Sequence, residues 1–119
     1  MNPLLRKDKA LKSNKFDIDI REYIKKGSKV LSGREEGKEL RKKLNLSFED
    51  LNDKTLTIEI KDIYAVNPSF FLGCWGESVR NLGEEGFRRK YKFECSEILR
   101  NNIERGIRRA LNDANILDV

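Results

Sequence analysis

Histidine is absent from this 119-residue chain. That removes the side chain most used as a general base near neutral pH, and also the commonest metal ligand. Cysteine is nearly absent: Cys74 and Cys95 are the only two, about twenty residues apart and in no metal-ligand spacing. They read as two reduced, mostly buried thiols rather than a disulfide. No apolar run approaches the length needed to cross a bilayer, and no hydrophobic secretory segment opens the sequence. A phosphate-cradling glycine loop is missing too, so no set of residues takes catalytic roles. The expectation is a non-enzymatic cytoplasmic protein with no metal and no cofactor.

What is present is charge and periodicity. Charged residues make up 38% of the chain and hydrophobic residues another 38%. The two signs are interspersed, so the net charge of +5 describes an ordinary solvated surface and hints only weakly at nucleic acid. The length suits one domain. Residues 1–15 carry five basic side chains against Asp8 alone and read as a flexible basic lead-in. Residues 16–119 read as the folded domain.

Phe16, Ile18 and Ile20 alternate with Asp17 and Asp19, the period-two pattern of a strand with one wet face. Lys29–Leu31 suggests a short second strand. Ser32-Gly33-Arg34-Glu35 matches a capping box, and the helix it opens carries Gly33, Gly37, Leu40 and Leu44 on one side. Two glycines there weaken a helix by roughly 1 kcal/mol each, which predicts a close approach of that helix to the sheet. After a polar connector, Asn45–Lys54, a central strand is expected at Leu56–Ile60. Phe71, Trp75, Val79 and Leu82 then recur at helical spacing, and Gly83 ends that helix. Glu84–Lys90 reads as a further turn or two anchored by Phe87. Tyr91 and Phe93 flank Lys92 in a last strand, and Ser96 caps a helix striped by Leu99, Ile103, Gly106, Ile107, Ala110 and Leu111. The pattern is α/β, with a small mixed sheet of about four strands and helices mainly on one face.

From Phe16 to Leu111 the chain resembles the STAS superfamily, and more closely an uncharacterised bacterial STAS-like family found beside histidine-kinase-type ATPases. The resemblance rests on Ser32-Gly33-Arg34-Glu35-Glu36-Gly37, on the alternating strand Leu56–Ile60, and on Ser69-Phe70 opening the second helix. In anti-sigma-factor antagonists of the superfamily an Asp-Ser-Ser-Gly motif opens that helix, and a partner kinase phosphorylates its second serine. Ser69 falls on that serine, while Asn67, Pro68 and Phe70 stand at the other three positions. The resemblance implies a regulatory module that binds a protein partner, of the ATPase or kinase type, with Ser69 as candidate phosphosite.

The residues themselves give each of these positions an ordinary role as well. Ser69 suits a helix cap, with Asn67 as the competing cap and Pro68 fixing the backbone angle. Phe70 lies off the core stripe: exposed, it would anchor a partner; otherwise it packs under the loop Asp62–Val66. Gly73 permits close backbone contact with the sheet or with a partner. The partner-binding set is therefore Asn67, Ser69, Phe70 and Gly73. A second reading is nucleic-acid binding through Arg88, Arg89, Lys90 and Lys92, together with the basic tail residues Arg6, Lys7, Lys9 and Lys12. Glu35 and Glu39 share one helix face, a common exposed arrangement that nothing completes into a metal site.

Overall fold

The structure, a computed structural model, describes residues 17–118, with side chains as far as residue 113. Phe16 and the basic tail residues Arg6, Lys7, Lys9 and Lys12 lie outside the described residues. The protein is mixed α/β and dominated by helix. Its strands are β1 (Ile18–Asp19), β2 (Val30–Leu31), β3 (Leu56–Glu59), β4 (Ala65–Val66) and β5 (Tyr91–Glu94). The helices are α1 (Arg34–Leu44), the short α2 (Leu46–Glu49), α3 (Pro68–Phe71), α4 (Glu77–Lys90) and α5 (Glu97–Asp118). A π-helical turn, Leu72–Gly76, joins α3 to α4, and this continuous segment, as far as Gly83, is the second helix of the sequence reading.

The expected single mixed sheet of about four strands is corrected. Among the described residues there are two sheets, one ordered β1-β3-β5 and the other β2-β4, and every pairing is parallel. Helices separate the strands of the first sheet in sequence, and parallel pairing requires such crossovers. The second sheet arises where the chain leaves the first. Ile60 N still donates to Glu94 O at 2.9 Å, but Asp62 adopts a positive φ of 61°. That turn redirects Ala65–Val66 onto Val30–Leu31.

Alternation decides which way the larger sheet faces. Leu56, Ile58, Tyr91 and Phe93 are buried, while Lys92 and Glu94 between them are exposed. The buried face receives an aromatic cluster from the helices. Trp75 meets Phe93 edge-on at 5.3 Å, Phe71 lies 5.5 Å from Trp75, and Phe87 lies 5.2 Å from Tyr91. Such offset and edge contacts add about 0.5–1.5 kcal/mol per pair beyond area burial.

The stretch Phe70–Gly76 is buried at every residue. A helix apolar on all sides belongs inside a protein, and here α1 and α5 enclose it. The approach of α1 is so close that side chains are excluded. A Cβ on Gly37 would collide with the Phe70 carbonyl oxygen, and one on Gly73 with the Arg34 carbonyl oxygen. On the other flank, a Cβ on Gly106 of α5 would press into the Phe71 ring. The glycine of α1 thus serves a helix–helix crossing, where sequence periodicity had pointed to the sheet.

Two caps differ from expectation and one agrees. Gly33, at φ 93°, holds the cap position of α1, and no side chain caps that helix. Ser32 lies one residue too early for the capping box to close. Asn67 rather than Ser69 sits at the start of α3, also without a side-chain cap. Ser96 does cap α5: its Oγ accepts from Leu99 N at 3.2 Å, an arrangement worth about 1 kcal/mol. At Gly83 the helix breaks as expected. Its φ of 78° and ψ of 167° fall in an extended region open essentially to glycine alone.

Candidate functional site

Of the four residues expected to dock a partner at the start of the second helix, Phe70 and Gly73 are enclosed, while Asn67 and Ser69 are accessible. Asn67 is exposed, its N–H donating to Leu31 O at 2.9 Å and its carbonyl accepting from Phe71 N at 3.0 Å. Ser69 is half-buried in the first turn. Phe70, however, is only 2% exposed. It points into the space between α1 and the turn after β1, alongside Ile24, Leu31 and Leu40. The Cβ side of Gly73 is closed by the backbone of Arg34, so its close contact is with α1. The exposed aromatic nearest the helix start is Tyr64, 68% exposed, beside Val30 at 48%. Tyr64 N donates to Lys29 O at 2.7 Å, and the Lys29 ammonium lies 5.6 Å from the tyrosine ring.

The proposed nucleic-acid set is dispersed by structural duties. Lys90 is buried and its Nζ donates to Asn52 O, Asn52 Oδ1 and Lys54 O at 2.9, 2.6 and 2.7 Å. It pins the connector before β3 and offers nothing to a phosphate. Arg88 forks onto Glu104 at 2.7 and 2.8 Å and also bonds Glu84. Hydrogen bonds from Arg88 hold the Glu104 carboxyl below its ordinary range, and the same bonds push the guanidinium up. Of these four, Arg89 and Lys92 are exposed.

The polar feature that sequence reading missed is a buried network. Arg41 and Asp50 are 8% and 9% exposed, and Ser78 is fully buried. The Asp50 carboxylate accepts from Arg41 Nη2 at 3.0 Å, from Ser78 Oγ at 2.8 Å and from Tyr91 OH at 2.6 Å. Arg41 Nη1 donates to Cys74 O and to Ser78 Oγ, both at 2.9 Å. Ser78 therefore accepts from the arginine while donating to the aspartate. Burial, reinforced by the Asp50 hydrogen bond and charge, pushes the Tyr91 phenol well above its ordinary value, so it stays a donor. This arrangement ties α1, α2, the second helix and β5 together. It holds no free nucleophile: the serine and the carboxylate spend their hydrogen-bonding capacity on each other and on Arg41.

Beside the network, a groove of about 440 Å³ runs along the crossing of α1 with the second helix. Arg34, Lys38, Arg41 and Lys42 line it from one face of α1, at the i, i+4, i+7 and i+8 spacing that stacks side chains on a helix. Glu77 and Arg80 line the opposite wall. Glu77 Oε1 lies 3.6 Å from Arg41 Nε.

No family model matches this chain, and neither a curated protein nor a solved structure does. Its fold therefore rests on its own geometry. No helix among the described residues is long and apolar enough to cross a membrane. Cys74 is buried and Cys95 half-buried, both free, and burial is the main cause raising each thiol's pKa.

Two of the missed residues did carry a signal. Gly37, Leu40, Arg41 and Leu44 are the buried positions of α1, so an arginine stands in the apolar stripe. Ser78 likewise sits beside Val79 on the buried side of its helix. A polar residue on a core stripe asks for a buried partner. Asp50, in the connector, gave no comparable sign.

Proposed function

We propose that this chain is a non-enzymatic interaction module that binds a protein partner at the rim where β2 and β4 deliver the chain to the second helix. The observation that carries the reading is the exposed pair Tyr64 and Val30: Val30 lies on β2, and Tyr64 immediately precedes β4, the strand that leads into Asn67 and Ser69. Aromatic side chains of this kind dominate binding hot spots, and Lys29 beneath the ring restrains it in advance of docking. Phe70 and Gly73 act as interior supports for this rim rather than as contacts. The STAS-like resemblance favours a partner of the ATPase or kinase type, with a phosphate on Ser69 adding charge at the edge of the contact.

Affinity capture from the organism's own extract, with the full chain as bait, tests this. A protein partner retained by wild type should be lost by about thirtyfold or more in Tyr64→Ala, as for a hot-spot aromatic. Ser69→Asp and Ser69→Ala should shift its affinity in opposite directions, while Arg105→Ala on α5 leaves it unchanged. Undiminished retention by Tyr64→Ala contradicts the reading, and so does recovery of nucleic acid in place of protein.

A further inference from the structure

We infer that the groove between α1 and the second helix is a binding site for a small phosphate-bearing molecule. This inference is independent of the partner-binding rim. It starts from charge that the fold leaves uncompensated. Across the chain the two signs are interspersed, and elsewhere a surface cation such as Arg88 is matched by carboxylates, whereas within the groove Arg41 alone is matched by a buried carboxylate, Asp50. In the groove, five cations face the single carboxylate of Glu77. Arg34, Lys42 and Arg80 form no ion pair among the described residues, and Lys38 reaches only the exposed Glu35 at 3.7 Å.

The site is built around a fixed donor. Arg41 is held by Asp50, Ser78 and the Cys74 carbonyl, so its guanidinium is oriented before any ligand arrives. Its Nε is nevertheless buried without a hydrogen-bond acceptor. An orphaned charged donor is costly in a native structure and needs an account. Glu77, 3.6 Å away and 59% exposed at its side chain, stands beside it without closing a hydrogen bond. A phosphate oxygen taking that carboxylate's place would complete the arginine and meet Lys38 and Arg80 from the rim.

Ligand class follows from donor type and size. Three of the five cations are arginines, whose planar forks match phosphate oxygens in pairs. The groove volume falls within the range of small-molecule sites. Its floor is Leu72 and the Gly73 backbone, fixed by the glycine crossing. A floor set by backbone packing and walls of cationic side chains suit a compact polyanion.

Inorganic pyrophosphate, titrated into the full chain by calorimetry at low and at physiological salt, tests the inference. Saturable binding is expected, weakened roughly tenfold or more by Arg80→Glu and by Lys38→Glu. Arg105→Glu, which removes a cation outside the groove, should leave affinity within twofold. Glu77→Gln should tighten binding severalfold, whereas Glu85→Gln, a matched change elsewhere, should not. Circular dichroism confirms that each variant is folded. Absence of saturable binding overturns the inference. So does equal weakening by Arg105→Glu, which would mark diffuse attraction, or binding of an acidic unphosphorylated peptide in place of pyrophosphate.

Discussion

Replacing Asp50 with alanine should cost about 3–5 kcal/mol of folding stability, the usual consequence of stranding a buried charge. Arg41 would then lie 8% exposed with no carboxylate at hydrogen-bond distance, since Glu77 stands 3.6 Å from Nε. Ser78 and Tyr91 would lose the acceptor that both now use. Against a total of about 5–15 kcal/mol for a domain, that loss approaches unfolding. Arg88→Ala gives the contrast. Its pairs with Glu104 and Glu84 are partly exposed, so about 1 kcal/mol or less is expected. Urea denaturation of both variants reads the difference. A double replacement, Arg41→Met with Asp50→Leu, should recover the part of the Asp50→Ala loss owed to the stranded arginine, leaving the smaller cost of the Ser78 and Tyr91 hydroxyls without their acceptor. A cost below about 1 kcal/mol for Asp50→Ala would mean the carboxylate is no hub.

The second large effect concerns sign as much as size. Helix propensity alone predicts that Gly73→Ala stabilises by up to about 1 kcal/mol. The crossing predicts the reverse. A methyl at position 73 would run into the backbone of Arg34, and backbone cannot swing aside as a side chain does. A loss of about 2–3 kcal/mol is expected from this overpacking. Gly76 is the control on the same segment. Its nearest obstacle is the flexible end of Arg80 at 3.3 Å, so Gly76→Ala should be neutral or mildly stabilising. Thermal melts of the pair decide the matter: two stabilised variants would refute the tight crossing of α1.

How much of this was legible before the structure varies by element, for physical reasons. The helices and strands marked by strong periodicity stand where the pattern puts them: the strand at Leu56, the break at Gly83, the anchor at Phe87, the cap at Ser96. Of the two short strands set by tertiary pairing, Val30–Leu31 was expected and its partner was not. Ala65–Val66 is two residues long and exists only because Val30–Leu31 lies beside it. The same limit explains Phe70. Its position off the Phe71–Trp75 stripe suggested an edge, but the helix is enclosed on more than one side, and periodicity locates one buried face only. Gly37 and Gly73 signalled close contact, yet each glycine alone could not name the other as its neighbour. Arg41 and Ser78 broke the apolar pattern and so announced a network, while its centre, Asp50, lay in a connector without periodicity.

Amide hydrogen exchange across residues 71–79, with the Trp75 indole included, addresses the burial of the second helix most directly. Exchange there should require global unfolding, because the segment is enclosed by α1, α5 and the sheet, and Asp53 and Thr55 in the exposed connector before β3 should exchange orders of magnitude faster. Rapid exchange through 71–79 would contradict the account. It would return that helix to the surface and bring Phe70 back as a contact for a partner.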